Sequence, residues 1–167
     1  REGVLRYTAG GAPGTLVPYP SSQTADAVAG RLVPHPSEAV FLTTFDGNLC
    51  AVRDTFQCAA PLTAGVVDYS FDRDGRRLFV LTLDGMLHLL DDETLESYSK
   101  VSLLAPANAA PPEVERPALA MGRTFLYVSD PQGGRVLRVS PTNGALLESI
   151  SIPGAAPGQM AVFKYSD

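Results

Sequence analysis

A chain of 167 residues, 45% of them hydrophobic and with a net charge of −5, is long enough for one domain with its own core. Two cysteines are too few for a disulfide-stapled miniprotein, the charge is too small for a disordered chain this apolar, and no apolar run approaches the ~20 residues of a membrane-spanning helix. Eighteen Asp and Glu against thirteen Lys and Arg argue against a nucleic-acid partner.

Residues 1–20 read as a hairpin whose loop is Gly10-Gly11-Ala12-Pro13-Gly14. Ala25 to Arg31 lacks the 3.6-residue apolar stripe of a helix, and no helix longer than a turn or two is expected elsewhere. Strands are expected at Ala39–Thr43 and Leu49–Val52, joined by Phe45-Asp46-Gly47-Asn48. Val66–Phe71 comes next as an inner strand, then Leu78–Thr82, a Leu83-Asp84-Gly85 turn, Met86–Leu90, and an outer strand within Glu96–Leu104. The order repeats with Ala118–Met121, Phe125–Ser129, a turn at Asp130–Gly134, Val136–Val139, and Ala145–Ile152. An apolar run, an Asp-Gly turn and a second apolar run form a hairpin signature.

Leu5, Leu49, Leu87 and Leu137 hold equivalent places, 44, 38 and 50 residues apart. A period of about 40–50 with four short strands is that of a β-propeller blade. The expected fold is therefore all-β. It comprises a partial blade at 1–20, blades at 31–64, 65–106 and 113–157, and a closing strand at 158–167. About three and a half blades fall short of a closed ring, which takes about four to eight. The chain, which starts at Arg1 without Met, reads as the C-terminal half of a seven- or eight-bladed ring. A β-sandwich and a complete four-bladed ring are the alternatives.

Cys50 and Cys58 flank Arg53-Asp54-Thr55. With those three residues as the loop, Val52 faces Phe56, Ala51 faces Gln57 and Cys50 faces Cys58. A disulfide, two packed thiols and a metal-binding pair are the readings; C-x7-C without a nearby His is not a zinc spacing. A disulfide would place the chain in an oxidising compartment, periplasmic or extracellular.

Catalytic patterns are absent: no HExxH, no Ser-His-Asp constellation and no phosphate-cradling glycine loop. His88 sits mid-strand and reads as a packing residue. His35, between Pro34 and Pro36, reads as an exposed turn residue able to take a metal. Propeller ligands gather where loops enter the inner strands. There the sequence offers Asp26, Asp46, Asp68, Asp84, Glu113, Glu115, Asp130 and Gln159. Asp46 and Asp84 fit turns. Asp68 and Glu115 do not, so with His35 they are the candidate metal ligands, for zinc or, alternatively, calcium. The stiff Ala105–Glu115 segment reads as a lid, a partner-contact loop or an insertion.

The strings Ser70-Phe71-Asp72-Arg73-Asp74-Gly75, Leu81-Thr82-Leu83-Asp84-Gly85-Met86-Leu87-His88, Tyr127-Val128-Ser129-Asp130-Pro131, Gly134-Arg135-Val136-Leu137 and Pro157-Gly158-Gln159-Met160-Ala161-Val162 carry a family resemblance. They resemble the C-terminal blades of the periplasmic zinc metallochaperone propellers that accompany zinc ABC transporters, within the broader YVTN-like propellers. The resemblance implies a periplasmic propeller that holds zinc and passes it to a solute-binding protein. The chain departs from it at Glu115-Arg116-Pro117-Ala118 and Gly158-Gln159-Met160, where a zinc carrier is expected to offer His. Two other classes stay open: a metal-dependent lactonase or esterase-type hydrolase using Asp68, Glu115 and Asp130, and a protein-interaction scaffold.

Overall fold

The computed structural model describes residues 3–7, 13–18, 31–36, 38, 40–45, 47–59, 62, 64–74, 76–106, 115–154 and 156–158. The expected closing strand, most of the 105–115 segment, and Asp26, Asp46, Glu113 and Gln159 lie outside them.

Every described element is a β-strand. The first two, β1 (Gly3–Tyr7) and β2 (Pro13–Pro18), pair antiparallel with Leu5 opposite Leu16. Three four-stranded antiparallel sheets come after them. The first contains β3 (Val33–Pro34), β4 (Phe41–Phe45), β5 (Asn48–Val52) and β6 (Phe56–Cys58). The middle sheet contains β7 (Val66–Phe71), β8 (Arg77–Thr82), β9 (Met86–Asp91) and β10 (Ser97–Ser102). The last contains β11 (Leu119–Met121), β12 (Leu126–Asp130), β13 (Arg135–Val139) and β14 (Leu146–Ser151).

Strand alternation explains why the sheets stack. Successive side chains in a strand point to opposite faces. In β8 and β9, Leu78, Val80 and Leu90 pack on one side with Leu42, Leu49 and Ala51 of the first sheet. Phe79, Leu81, Leu87 and Leu89 pack on the other side with Leu126, Val128, Leu137 and Val139 of the last. The central strands of the middle sheet, β8 and β9, are thus largely apolar and buried on both faces. Its inner strand β7 neighbours both β3 and β11, whereas the outer strand β14 is exposed along its whole length. Inner strands side by side with outer strands in solvent are the arrangement of propeller blades, as the repeat predicts.

Hydrogen bonds at one end link neighbouring sheets, and at the other they close each sheet. Arg53 Nη2 donates to the Asp92 carbonyl and Gln57 Nε2 to that of Glu93, linking the first sheet to the middle one. Arg77 Nη1 donates to the Pro141 carbonyl of the last sheet. At the other end the chain leaving an outer strand folds back on a hairpin glycine. The Gly85 carbonyl accepts from Leu103 and Leu104, and the Gly134 carbonyl from Ile152.

Gly85 carries two constraints. Its φ is +78°, and a Cβ there would lie 2.2 Å from the Leu104 carbonyl oxygen. Gly47 has the same backbone (φ +77°) but no atom within 4 Å of such a Cβ. Gly47→Ala is expected to cost about 1–2 kcal/mol, the left-handed backbone alone. Gly85→Ala should cost about 2 kcal/mol more, because backbone must move. Urea denaturation of the two variants measures the difference.

Candidate functional site

The loops expected to carry ligands lie where the chain enters β3, β7 and β11. Arg31, just before β3, reaches Asp68 in β7. Its Nη2 donates to Asp68 Oδ1 at 2.5 Å and to the Tyr69 carbonyl at 3.1 Å. The same Oδ1 accepts from the Tyr69 amide at 2.9 Å, and Oδ2 accepts from the Leu119 amide of β11 at 2.7 Å. Tyr69 Oη donates back to the Arg31 carbonyl, and the guanidinium lies 5.7 Å from the Tyr69 ring centre. Burial pushes the Tyr69 hydroxyl pKa up, against the opposing pull of a Thr43 hydrogen bond and the Arg31 charge.

One carboxylate therefore joins the inner edges of three consecutive sheets. A β-bulge between Val66 and Asp68 accompanies it. Three of the roughly four lone-pair positions of a carboxylate are occupied by donors from Arg31, Tyr69 and Leu119. Asp68 is buried, with its side chain 12% exposed, whereas that of Arg31 is 57% exposed.

Glu115 lies four residues before Leu119 and is exposed. A Cβ on Gly158 would fall 2.3 Å from Glu115 Oε2, so the absence of a side chain at 158 leaves room for the carboxylate.

His35 lies elsewhere. It comes directly after β3 and packs edge-on against Phe71, with ring centres 4.7 Å apart. Phe71 is three residues beyond Asp68 in the same strand, about 10 Å further along. The expectation of an exposed His35 is not met: the residue is buried, at 8%. Its Nδ1 accepts the Glu38 amide at 2.9 Å, closing the turn that the flanking prolines start, and its Nε2 lies 4.0 Å from Asp92 Oδ2. Asp68 and Glu115 thus flank the path into β11, while His35 stands apart. Among the described residues no three His, Cys, Asp or Glu side chains gather to hold a metal ion.

Of the other sequence candidates, Asp84 and Asp130 serve turns. Asp84 accepts from Thr82 Oγ1 at 2.6 Å. Asp130 pairs with Arg135 at 2.7 Å and accepts the Gly133 amide. An open groove of about 480 Å³ lies between that turn and the segment after β14, lined by Pro131, Gly133, Ile152 and Pro153 among others.

His88 stands beside Ser97, with Oγ 3.5 Å from Nδ1. Burial lowers its pKa; Asp84 opposes the shift and Lys100 adds to it. The unfolded chain then binds a proton before the folded one does. Stability should fall as pH drops below the ordinary histidine value of about 6.5 and level off below the folded pKa. Thermal melts of His88→Gln against the parent between pH 7.5 and 5 should show a flatter profile for the variant.

Cys50 and Cys58 are disulfide-bonded, with the predicted register: Cys50 opposite Cys58, Ala51 opposite Gln57, Val52 opposite Phe56. The two Cα atoms are 3.9 Å apart.

No family model and no curated protein matches the chain. Solved structures do. AztD from Citrobacter koseri superposes on 93% of the chain with a TM-score of 0.78 at 21% identity, and apo AztD from the same organism on 92% with 0.77 at 20%. The WD40 repeats of RRP9 superpose on 80% with 0.62 at 10%. The fold is a β-propeller fold. The chain spans 44% of the AztD chains and 42% of RRP9, less than half of each.

Proposed function

We propose that this chain and AztD share one function, that of the periplasmic zinc metallochaperones its strand strings resemble, with zinc as cargo for a solute-binding protein. The observation that carries this reading is the likeness to AztD over 93% of the chain. The Cys50–Cys58 disulfide supports it, because such bonds persist in oxidising compartments such as the periplasm.

On this reading Glu115 offers the cargo a carboxylate at the path into β11. An exposed carboxylate suits a carrier, which must release its ion; a closed structural zinc site uses four protein ligands. Asp68 holds β11 in place through the Leu119 amide, four residues away. His35, in the β3–β4 turn, is left out of the cation path.

Thermal unfolding with added metal tests the proposal. Zinc at about a hundred times its Kd should raise the Tm by about 5–10 °C, and Glu115→Gln should reduce that rise. A rise with calcium but not zinc, accompanied by esterase turnover, would replace the proposal with a hydrolase. No response to either ion would leave an interaction scaffold.

A further inference from the structure

The first sheet differs from the other two at its outer edge. Strands β10 and β14 each run six residues, whereas β6 runs three. A three-residue outer strand has little ladder to hold it, and a solvent-exposed edge frays most readily. This is the strand that carries the disulfide: Cys58 of β6 is bonded to Cys50 of β5. The bond also anchors the start of the connection to β7. Ala59, the next residue, is buried between the first and middle sheets and donates its amide to the Leu49 carbonyl. Leu62 packs on the same core, further along that connection.

The two cysteines meet solvent differently. Cys50 is fully buried and Cys58 is exposed. An incoming thiolate therefore approaches from the Cys58 side. The core that β8 and β9 share with β12 and β13 contains no residue of the first sheet, and their ladders do not involve β5 or β6.

We propose that the Cys50–Cys58 disulfide is a redox clasp: a dithiol reductant opens it in the folded protein and releases β6 while the middle and last sheets stay folded. One thiolate of the reductant attacks Cys58 Sγ, and Cys50 leaves as a thiolate that takes up a proton. The second thiol of the reductant then displaces Cys58 from the mixed disulfide. Two electrons and two protons pass to the protein, and the dithiol becomes a disulfide.

Hydrogen exchange on the oxidised chain, with and without dithiothreitol, tests the clasp, with thiols counted by alkylation. Reduction should yield two thiols per chain and speed exchange at Phe56–Ala59 by on the order of tenfold or more, with β8, β9, β12 and β13 unchanged. A bond that resists dithiothreitol in the folded chain would overturn the proposal. So would a reduced chain with unchanged exchange in β6, or one that loses protection throughout. The Cys50→Ala, Cys58→Ala double variant should reproduce the reduced pattern; a fully protected β6 there would count against the clasp. Reduction of the already folded protein keeps the test valid if that variant does not fold.

Discussion

Phe79→Ala should lower the unfolding free energy by about 3–5 kcal/mol, the cost of emptying a large buried aromatic site. Phe79 has no exposed surface and stands in the second strand of the middle sheet, opposite Ser70 on one side and Leu89 on the other. Its ring belongs to the core shared with the last sheet, among Leu81, Leu126, Val128 and Leu137. The fully buried Leu81, Leu87, Leu126, Val128 and Leu137 keep the two sheets apart, so the site cannot collapse fully around an alanine. Tyr98, also aromatic but 55% exposed on the outer strand β10, is the control. Tyr98→Ala should change stability by no more than about 0.5 kcal/mol. Urea unfolding of both variants measures the contrast, and equal effects would mean that the sheets do not stack face to face.

Asp68→Ala should cost about 2–4 kcal/mol with no metal present. The substitution leaves the Tyr69 and Leu119 amides without their carboxylate acceptor, at about 1–3 kcal/mol for each buried unmet donor. Arg31 adds little, because its side chain is more than half exposed and its ion pair is screened by water. Arg31→Ala should accordingly cost less than about 1 kcal/mol. Asp68→Asn keeps an acceptor for one amide and should fall between. A residue whose work is only to hold a cation would behave otherwise: Asp68→Ala would leave the metal-free melt unchanged and abolish the zinc-dependent rise. Melts of both variants, with and without zinc, separate the two roles.

The strands are legible because the central strands of the blades are largely apolar and the hairpins between them carry glycine. Val66–Phe71 is recovered residue for residue, and Met86–Leu90 to within one. The Cys50–Cys58 register came from loop length alone, since a three-residue loop leaves one way to pair the flanks. The site was less legible because it is built from distant residues. Arg31 and Asp68 are 37 positions apart, and Asp68 and Leu119 are 51. Nothing local in the sequence marks Arg31, just before β3, as the partner of a carboxylate four strands on. Asp68 stands out in the sequence because no turn explains it, and the structure supplies the reason: it faces backbone amides and a guanidinium. Pro34 and Pro36 suggested an exposed His35, but the ring finds Phe71, which only the packing of adjacent inner strands brings near. The two-residue β3 was not readable, being too short for an alternation to register.

Metal content bears most directly on the zinc-carrier proposal. The protein would be purified from an oxidising compartment without chelator and its metals measured by elemental analysis against protein concentration. About one zinc per chain is expected, reduced in Glu115→Gln. A protein that retains no zinc, or that carries calcium in its place, would contradict the proposal.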